Sequence, residues 1–166
     1  EEAYPHLLEE ALLEKGFTGI QVINAGISGS TSASAVSRLK WYMRAKPKIL
    51  ILALGANDGL RGLSVDNMKK NLGSAIELTQ SKNIRILLAG MQMPLNYGKN
   101  YTDSFKKAYF ELAEQYDTGI IPFLLKDVGA VSEHNLDDGI HPNPEGHRIL
   151  TRNVLEHLLP MLESDL

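Results

Sequence analysis

The chain of 166 residues contains no cysteine at all, which excludes disulfides, thiolate metal sites and a cysteine nucleophile. No apolar run approaches the length of a transmembrane helix, so no integral membrane segment is predicted. The formal net charge is −3, and the lysines and arginines are interpreted as scattered along the chain. This distribution argues against nucleic acid as a partner.

The composition is that of an ordinary folded protein. Hydrophobic residues make up 43% of the chain and charged residues 22%, which argues against disorder, collagen and coiled coil. A chain of this length is expected to form a single domain over residues 1–166. Such a domain buries about 70% of the surface that its unfolded chain exposes, so one sizeable core is predicted.

Segments with helical periodicity alternate with short apolar runs along the chain. The periodicity predicts helices at about 4–15, 33–46, 65–81, 105–116 and 143–159, and the apolar runs predict strands at 20–24, 49–54, 84–89 and 119–123. Strands that alternate with helices favour an open parallel sheet covered on both faces. The predicted fold class is therefore α/β, a three-layer α/β/α arrangement with a flavodoxin-like parallel sheet.

Polar or glycine-rich loops follow Asn24 and Leu54, and another precedes His141. Ligands of open parallel sheets bind at the carboxyl ends of the strands, so we expect these loops to converge on one crevice. The sequence contains neither a phosphate-binding loop nor a dinucleotide fingerprint. A nucleotide-binding protein of the same fold is therefore the least favoured of the functions considered.

A carboxylate and an imidazole lie three residues apart just before the last predicted helix, at Asp138 and His141. Imidazole titrates near neutrality and is suited to general-base chemistry, and a neighbouring carboxylate can accept its second N–H and fix the tautomer. The alternative is that Asp138 caps a turn and His141 lies at the surface. The adjacent Asp137 is the less favoured candidate for the acid.

Three sequence blocks together resemble the SGNH hydrolases, also called GDSL esterases and lipases. They are Asn24 to Ser32, Gly55 to Gly59, and Asp138 to Pro142, and their order and spacing cover nearly the whole chain. The resemblance extends to the branch of thioesterase I, lysophospholipase L1 and arylesterase. It implies the SGNH hydrolase fold.

The resemblance also assigns roles to individual residues. It implies that the backbone N–H of Gly29 and the side-chain amide of Asn57 are oxyanion donors, that His141 is the general base, and that Asp138 orients it. The implied activity is hydrolysis of acyl esters or thioesters by a serine hydrolase, with a small-molecule substrate and without cofactor or metal. A periplasmic or secreted location is weakly favoured, and the oligomeric state is not predicted.

Four residues are candidates for the lining of an acyl pocket. They are Leu60, Met91, Met93 and Tyr97. The alternative is that they belong to the core, as apolar residues near strand ends usually do.

The family's first block, Gly-Asp-Ser-Leu, carries the nucleophilic serine and does not occur in residues 1–166. We expect the natural protein to carry this block upstream of Glu1, together with a first central strand between the strands at Ile20 and Ile49. Ser28 and Ser30 precede a helix and are interpreted as capping residues rather than substitute nucleophiles, as is Ser32. A binding module or pseudoenzyme with the same fold remains the alternative to an enzyme.

Overall fold

The structure is a computed structural model that describes residues 3–163. These residues form two compact units. The first consists of the chain up to Gly26 together with the chain from Leu124 onwards, and the second is Ile27–Phe123.

The described residues form six α-helices and three β-strands. The helices are α1 (Tyr4–Glu14), α2 (Ala35–Tyr42), α3 (Ala56–Leu60), α4 (Val65–Gln80), α5 (Lys99–Tyr116) and α6 (Pro144–Glu163), and the strands are β1 (Ile49–Leu52), β2 (Arg85–Ala89) and β3 (Gly119–Ile121). Short 3-10 helices occur at Ser32–Ser34, Met43–Ala45, Leu95–Tyr97 and Ser132–His134. No helix within residues 3–163 is long and apolar enough to cross a membrane.

The second unit is built on a parallel sheet in the order β1-β2-β3. Ile49 pairs with Arg85, and Leu87 pairs with Gly119. The predicted α/β class with parallel strands is confirmed. The predicted strands at 49–54, 84–89 and 119–123 are each present in slightly shorter form, since the ladder pairing covers only part of each apolar run.

The core of the second unit lies where α4 and α5 pack beside the sheet. Among its fully buried side chains are Leu72 and Ile76 of α4, Leu88 of β2, and Phe105 and Tyr109 of α5. Burial of each such side chain contributes about 1.5 to 3 kcal/mol relative to exposure. The Tyr109 hydroxyl donates to the carbonyl of Leu54, 3.0 Å away, and so fixes the chain directly after β1.

In the first unit, α1 packs against α6, and Leu8 and Leu12 of α1 are buried, as are Val154 and Leu158 of α6. The predicted end of α1 is confirmed, because Gly16 adopts φ +89° just after the helix and the N–H of Phe17 returns to the carbonyl of Leu12. This is the left-handed ending that glycine permits.

Two sequence predictions are wrong. Residues 20–24 do not form a strand, since an extended segment becomes a strand only through ladder bonds, and the Val22 N–H is instead bonded to the carboxylate of Glu9. Trp41 belongs to the apolar periodicity that predicts the helix at 33–46, with Val36 and Leu39, but its side chain is 63% exposed. It lies near the end of α2, where only Ala35 and Leu39 are buried.

Candidate active site

The Asp138 and His141 side chains are in direct contact in the first unit. Oδ2 of Asp138 lies 2.7 Å from Nδ1 of His141. The other carboxylate oxygen, Oδ1, accepts the backbone N–H groups of Ile140 and His141, each at 2.9 Å. One carboxylate thus caps the turn and contacts the imidazole. The turn cap is observed, and the role of Asp138 as the orienting acid stays a prediction.

Hydrogen bonding holds the Asp138 carboxylate in its ionised form. The N–H groups of His141 and Ile140, followed by the His141 ring, lower the pKa of Asp138 from its ordinary 3.8 to about 2. The side chains of His141 and Asp138 are 62% and 46% exposed. With Nδ1 on the carboxylate, Nε2 is the ring nitrogen left for a substrate or nucleophile, which is the arrangement a general base needs.

The backbone around this pair is fixed on both sides. Before it, the N–H of Leu136 donates to the carbonyl of His141 at 2.7 Å. After it, the Asn143 side chain caps α6 by accepting the Gly146 N–H at 3.0 Å, which confirms the predicted helix start. Gly146 is needed here because a Cβ would lie 2.2 Å from the carbonyl oxygen of His134.

Gly29 lies in a tight turn of the second unit. The Ser30 N–H donates to the Ile27 carbonyl at 3.3 Å, and Gly29 has φ +73°, the value that the third residue of a type II turn requires. Among residues 3–163, no acceptor takes the N–H of Gly29. The turn therefore presents a donor without a partner, as an oxyanion donor must be before substrate binds.

Asn57 is on the short helix α3 and is connected to the Gly29 turn. Its Nδ2 donates to the carbonyl of Ser30 at 3.1 Å. An amide NH₂ has two hydrogens, so this bond orients the group and leaves one hydrogen for a ligand. Arg61 makes a second connection, because its Nη2 donates to the carbonyl of Gly29 at 2.9 Å. The structure thus brings the two predicted oxyanion donors, Gly29 and Asn57, to one place.

A buried carboxylate also connects α3 to the segment that follows the Gly29 turn. Asp58 is 4% exposed and accepts both the N–H of Ser32, at 2.8 Å, and its hydroxyl, at 2.6 Å. Asn71 of α4 donates to the same hydroxyl at 3.0 Å. Ser32 is therefore fully engaged in structure, and the sequence pattern did not predict this network.

We predict that Asp58→Asn destabilises the second unit. The amide can replace only one of the two acceptor oxygens, so a buried donor of Ser32 loses its partner. Loss of a hydrogen bond to a buried charged group costs about 1.5 to 3 kcal/mol. Urea denaturation should show a lower midpoint with an unchanged slope. The exposed Asp103→Asn is the matched control, and equal midpoints for the two variants would contradict the prediction.

The four candidate pocket residues occupy two kinds of environment in the second unit. Met93 is 8% exposed, and its sulfur packs so closely on Gly59 that a Cβ there would lie 2.3 Å away. Leu60 and Met91 are partly buried against the core. The Tyr97 hydroxyl donates to the carbonyl of Leu60 at 2.9 Å and ties the end of α3 to the loop after β2.

The candidates therefore form two groups: His141 and Asp138 in the first unit, and Gly29, Asn57 and the pocket residues in the second. Comparison with known proteins finds one family model that spans both groups. The model of the GDSL-like Lipase/Acylhydrolase family matches residues 1–149. The chain belongs to the GDSL-like lipase and acylhydrolase family.

Relatives within the GDSL family support the branch predicted from the sequence. The chain is 38% identical to esterase TesA of Pseudomonas aeruginosa, over 94% of this chain and 78% of that protein. It is 31% identical to thioesterase 1/protease 1/lysophospholipase L1 of Escherichia coli K12, over 98% of this chain and 77% of that protein. The resemblance stated from the sequence is confirmed.

A solved structure supports the fold. The psychrotrophic esterase EstA from Pseudoalteromonas sp., in a structure inhibited by monoethylphosphonate, superimposes with a TM-score of 0.91 at 29% identity. The match covers 98% of this chain and 89% of that chain. AlinE4, an SGNH-hydrolase family esterase, matches with a TM-score of 0.77 at 36% identity, over 96% of this chain and 85% of that chain. The chain therefore has the SGNH hydrolase fold.

Several residues of the GDSL chain that shape the site were missed or left undecided by the sequence. Arg61, Asn71 and Tyr97 act on the site through hydrogen bonds to segments more than 30 residues away. A local pattern carries no sign of such contacts. Asp137, the less favoured candidate for the acid, is an exposed residue next to Asp138.

Proposed function

We propose that the protein hydrolyses acyl esters or thioesters through a Ser-His-Asp triad in which His141 is the base and Asp138 is its acid partner. The observation that carries the proposal is the 2.7 Å contact between Asp138 Oδ2 and His141 Nδ1, in a chain of the GDSL family. The serine is proposed to lie in a Gly-Asp-Ser block of the natural protein, since residues 1–166 do not contain that block.

The proposed reaction follows the acyl-enzyme route. His141 Nε2 takes the serine proton as the oxygen attacks the acyl carbon, and the negative charge of the tetrahedral intermediate moves to the acyl oxygen. The Gly29 N–H and the Asn57 amide donate to that oxygen. His141 then returns the proton to the leaving alcohol or thiol, and a water molecule repeats the sequence to release the acid.

The substrate class rests on the relatives and on the surroundings of Asn57. The Escherichia coli relative is described as a thioesterase and a lysophospholipase. We propose that Leu60, Met91 and Tyr97 line the acyl-binding side of the site. Met93 is proposed to support α3 from the core, since it is buried against Gly59.

The test is hydrolysis of short and medium p-nitrophenyl esters by the natural full-length protein. Hydrolysis of these esters would support the proposed enzyme activity. The alternative is a binding module that keeps the fold without the nucleophile. Binding of an ester without turnover by the full-length protein would reject the enzyme in favour of that alternative.

We predict that Asn57→Ala lowers kcat by about 100-fold to 1000-fold, since removal of one oxyanion donor has that effect. KM should change much less, because the donor acts mainly on the charge that develops in the transition state. Steady-state kinetics with a p-nitrophenyl ester measures both constants. Asn100→Ala, an exposed amide on α5, is the matched control, and equal kcat values for the two variants would contradict the role of Asn57.

A further inference from the structure

Residues 38–48 form the most basic part of the sequence. Five of these eleven residues are lysine or arginine and none is acidic. There is no Asp or Glu between Glu14 and Asp58, although the whole chain carries a formal net charge of −3. The interpretation of the cations as scattered overlooked this cluster.

The cluster lies on the surface of the second unit, on α2, the following 3-10 helix and the loop that leads to β1. Its four exposed cations are Lys40, Arg44, Lys46 and Lys48. Trp41 follows Lys40 in the sequence and 63% of its side chain is exposed. The Arg44 guanidinium lies 4.9 Å from the centre of the indole ring. We refer to these five residues as the basic aromatic surface.

The charges of this surface are not neutralised within the molecule. None of Lys40, Arg44, Lys46 and Lys48 has an ion-pair partner among residues 3–163. Elsewhere in the unit, exposed lysines such as Lys99 and Lys107 do pair, with Asp103 and Glu111. Unpaired cations in an otherwise acidic chain produce a local positive potential that attracts an anionic partner.

We propose that the basic aromatic surface docks on membranes that contain anionic phospholipids. Lysine and arginine near such a membrane strengthen binding about fivefold each. An indole with an apolar body and one N–H donor is suited to the boundary between headgroups and acyl chains. This pairing of cations with one exposed indole favours lipid over a nucleic acid duplex or an acidic protein. The bases of a duplex are already stacked on one another, so a duplex offers the indole no apolar layer to enter, whereas a bilayer does.

The sequence supplies its own reporter for this proposal. Trp41 is the single tryptophan of residues 1–166 and is part of the proposed contact. Its fluorescence should shift to shorter wavelength when phosphatidylcholine vesicles containing phosphatidylglycerol are added at low salt. Brominated lipids should quench it. Pure phosphatidylcholine vesicles should produce little shift, and high salt should reverse the shift on anionic vesicles.

Variants separate specific docking from net charge. Lys40→Glu with Lys46→Glu should weaken binding to anionic vesicles by about 25-fold or more, as two cations at about fivefold each require. Lys106→Glu with Lys126→Glu changes the net charge equally at exposed sites outside the surface and should have little effect. Trp41→Phe should abolish the signal, and co-sedimentation should show weaker binding of that variant.

Three results would overturn the proposal. One is the absence of a shift with anionic vesicles, and another is an equal shift with pure phosphatidylcholine. The third is equal weakening by the two double variants. Binding to a DNA duplex without binding to anionic vesicles would assign the surface to a different polyanion. All of these measurements are independent of ester hydrolysis, so they stand or fall apart from the proposed triad.

Discussion

His141→Ala is expected to lower kcat for ester hydrolysis by about 10⁶-fold, the loss seen when the base of a hydrolytic triad is removed. Without the imidazole, nothing takes the proton of the attacking hydroxyl or returns it to the leaving group. The Asp138 carboxylate would keep its two backbone N–H donors, so the turn should persist. Circular dichroism and urea denaturation of the variant check that the fold is retained.

The matched control for this variant is His6→Ala. His6 is an exposed histidine on α1 whose only charged contact in the described part of the chain is Glu10, one helical turn away. Its replacement should leave kcat unchanged. Comparable losses in the two variants would indicate a general effect on the protein, and full activity of His141→Ala would reject His141 as the base.

Asp138→Asn is expected to lower kcat by about 10⁴-fold, although the shape of the side chain is preserved. The amide oxygen can still accept the N–H groups of Ile140 and His141. Its NH₂ group would then face Nδ1 of His141 and donate to it, which places the ring proton on Nε2. That tautomer cannot accept the serine proton, so the loss arises from orientation and proton placement rather than from unfolding.

Asp137→Asn is the closest control, because Asp137 is the adjacent exposed carboxylate. It should retain activity within a few fold, while Asp138→Asn is nearly inactive. A larger loss for Asp137→Asn than for Asp138→Asn would transfer the role of the acid to Asp137.

The lowered pKa of Asp138 also fixes the pH range of its contribution. Its pKa is about 2 in the folded protein and below the ordinary value of 3.8, so its stabilising hydrogen bonds are fully present above pH 4. They are lost as the pH falls through about 2. A decline of kcat/KM on the acid side of neutrality, well above pH 4, should therefore not arise from protonation of this carboxylate.

The fold was largely predictable from periodicity and apolar runs. The helix at Val65–Gln80 and the strand at Arg85–Ala89 are strongly patterned, because each buries a continuous face against the core. The strand at Ile49–Leu52 is apolar throughout, although only Leu52 is fully buried. The prediction of a strand at 20–24 was wrong because strand formation depends on ladder partners that the segment's own sequence does not specify. The expectation that Trp41 faces the core was wrong because the buried residues of α2, Ala35 and Leu39, end before it.

The candidate site was predictable where its chemistry is local. Asp138 and His141 are three residues apart, so the turn that joins them is implied by the sequence. The contacts of Arg61 with Gly29 and of Asp58 with Ser32 connect residues separated by 32 and 26 positions, and only the fold brings them together. The relation of the Asp138 and His141 pair to Gly29 and Asn57 remains a prediction from the family.

Fluorophosphonate labelling of the natural full-length protein, followed by peptide mapping, tests the central claim most directly. Such a probe phosphonylates only a serine that an adjacent base has activated. We predict one labelled serine in a Gly-Asp-Ser sequence, and labelling that is almost abolished in His141→Ala. Absence of labelling, labelling at Ser28, Ser30 or Ser32, or equal labelling of His141→Ala would contradict the account.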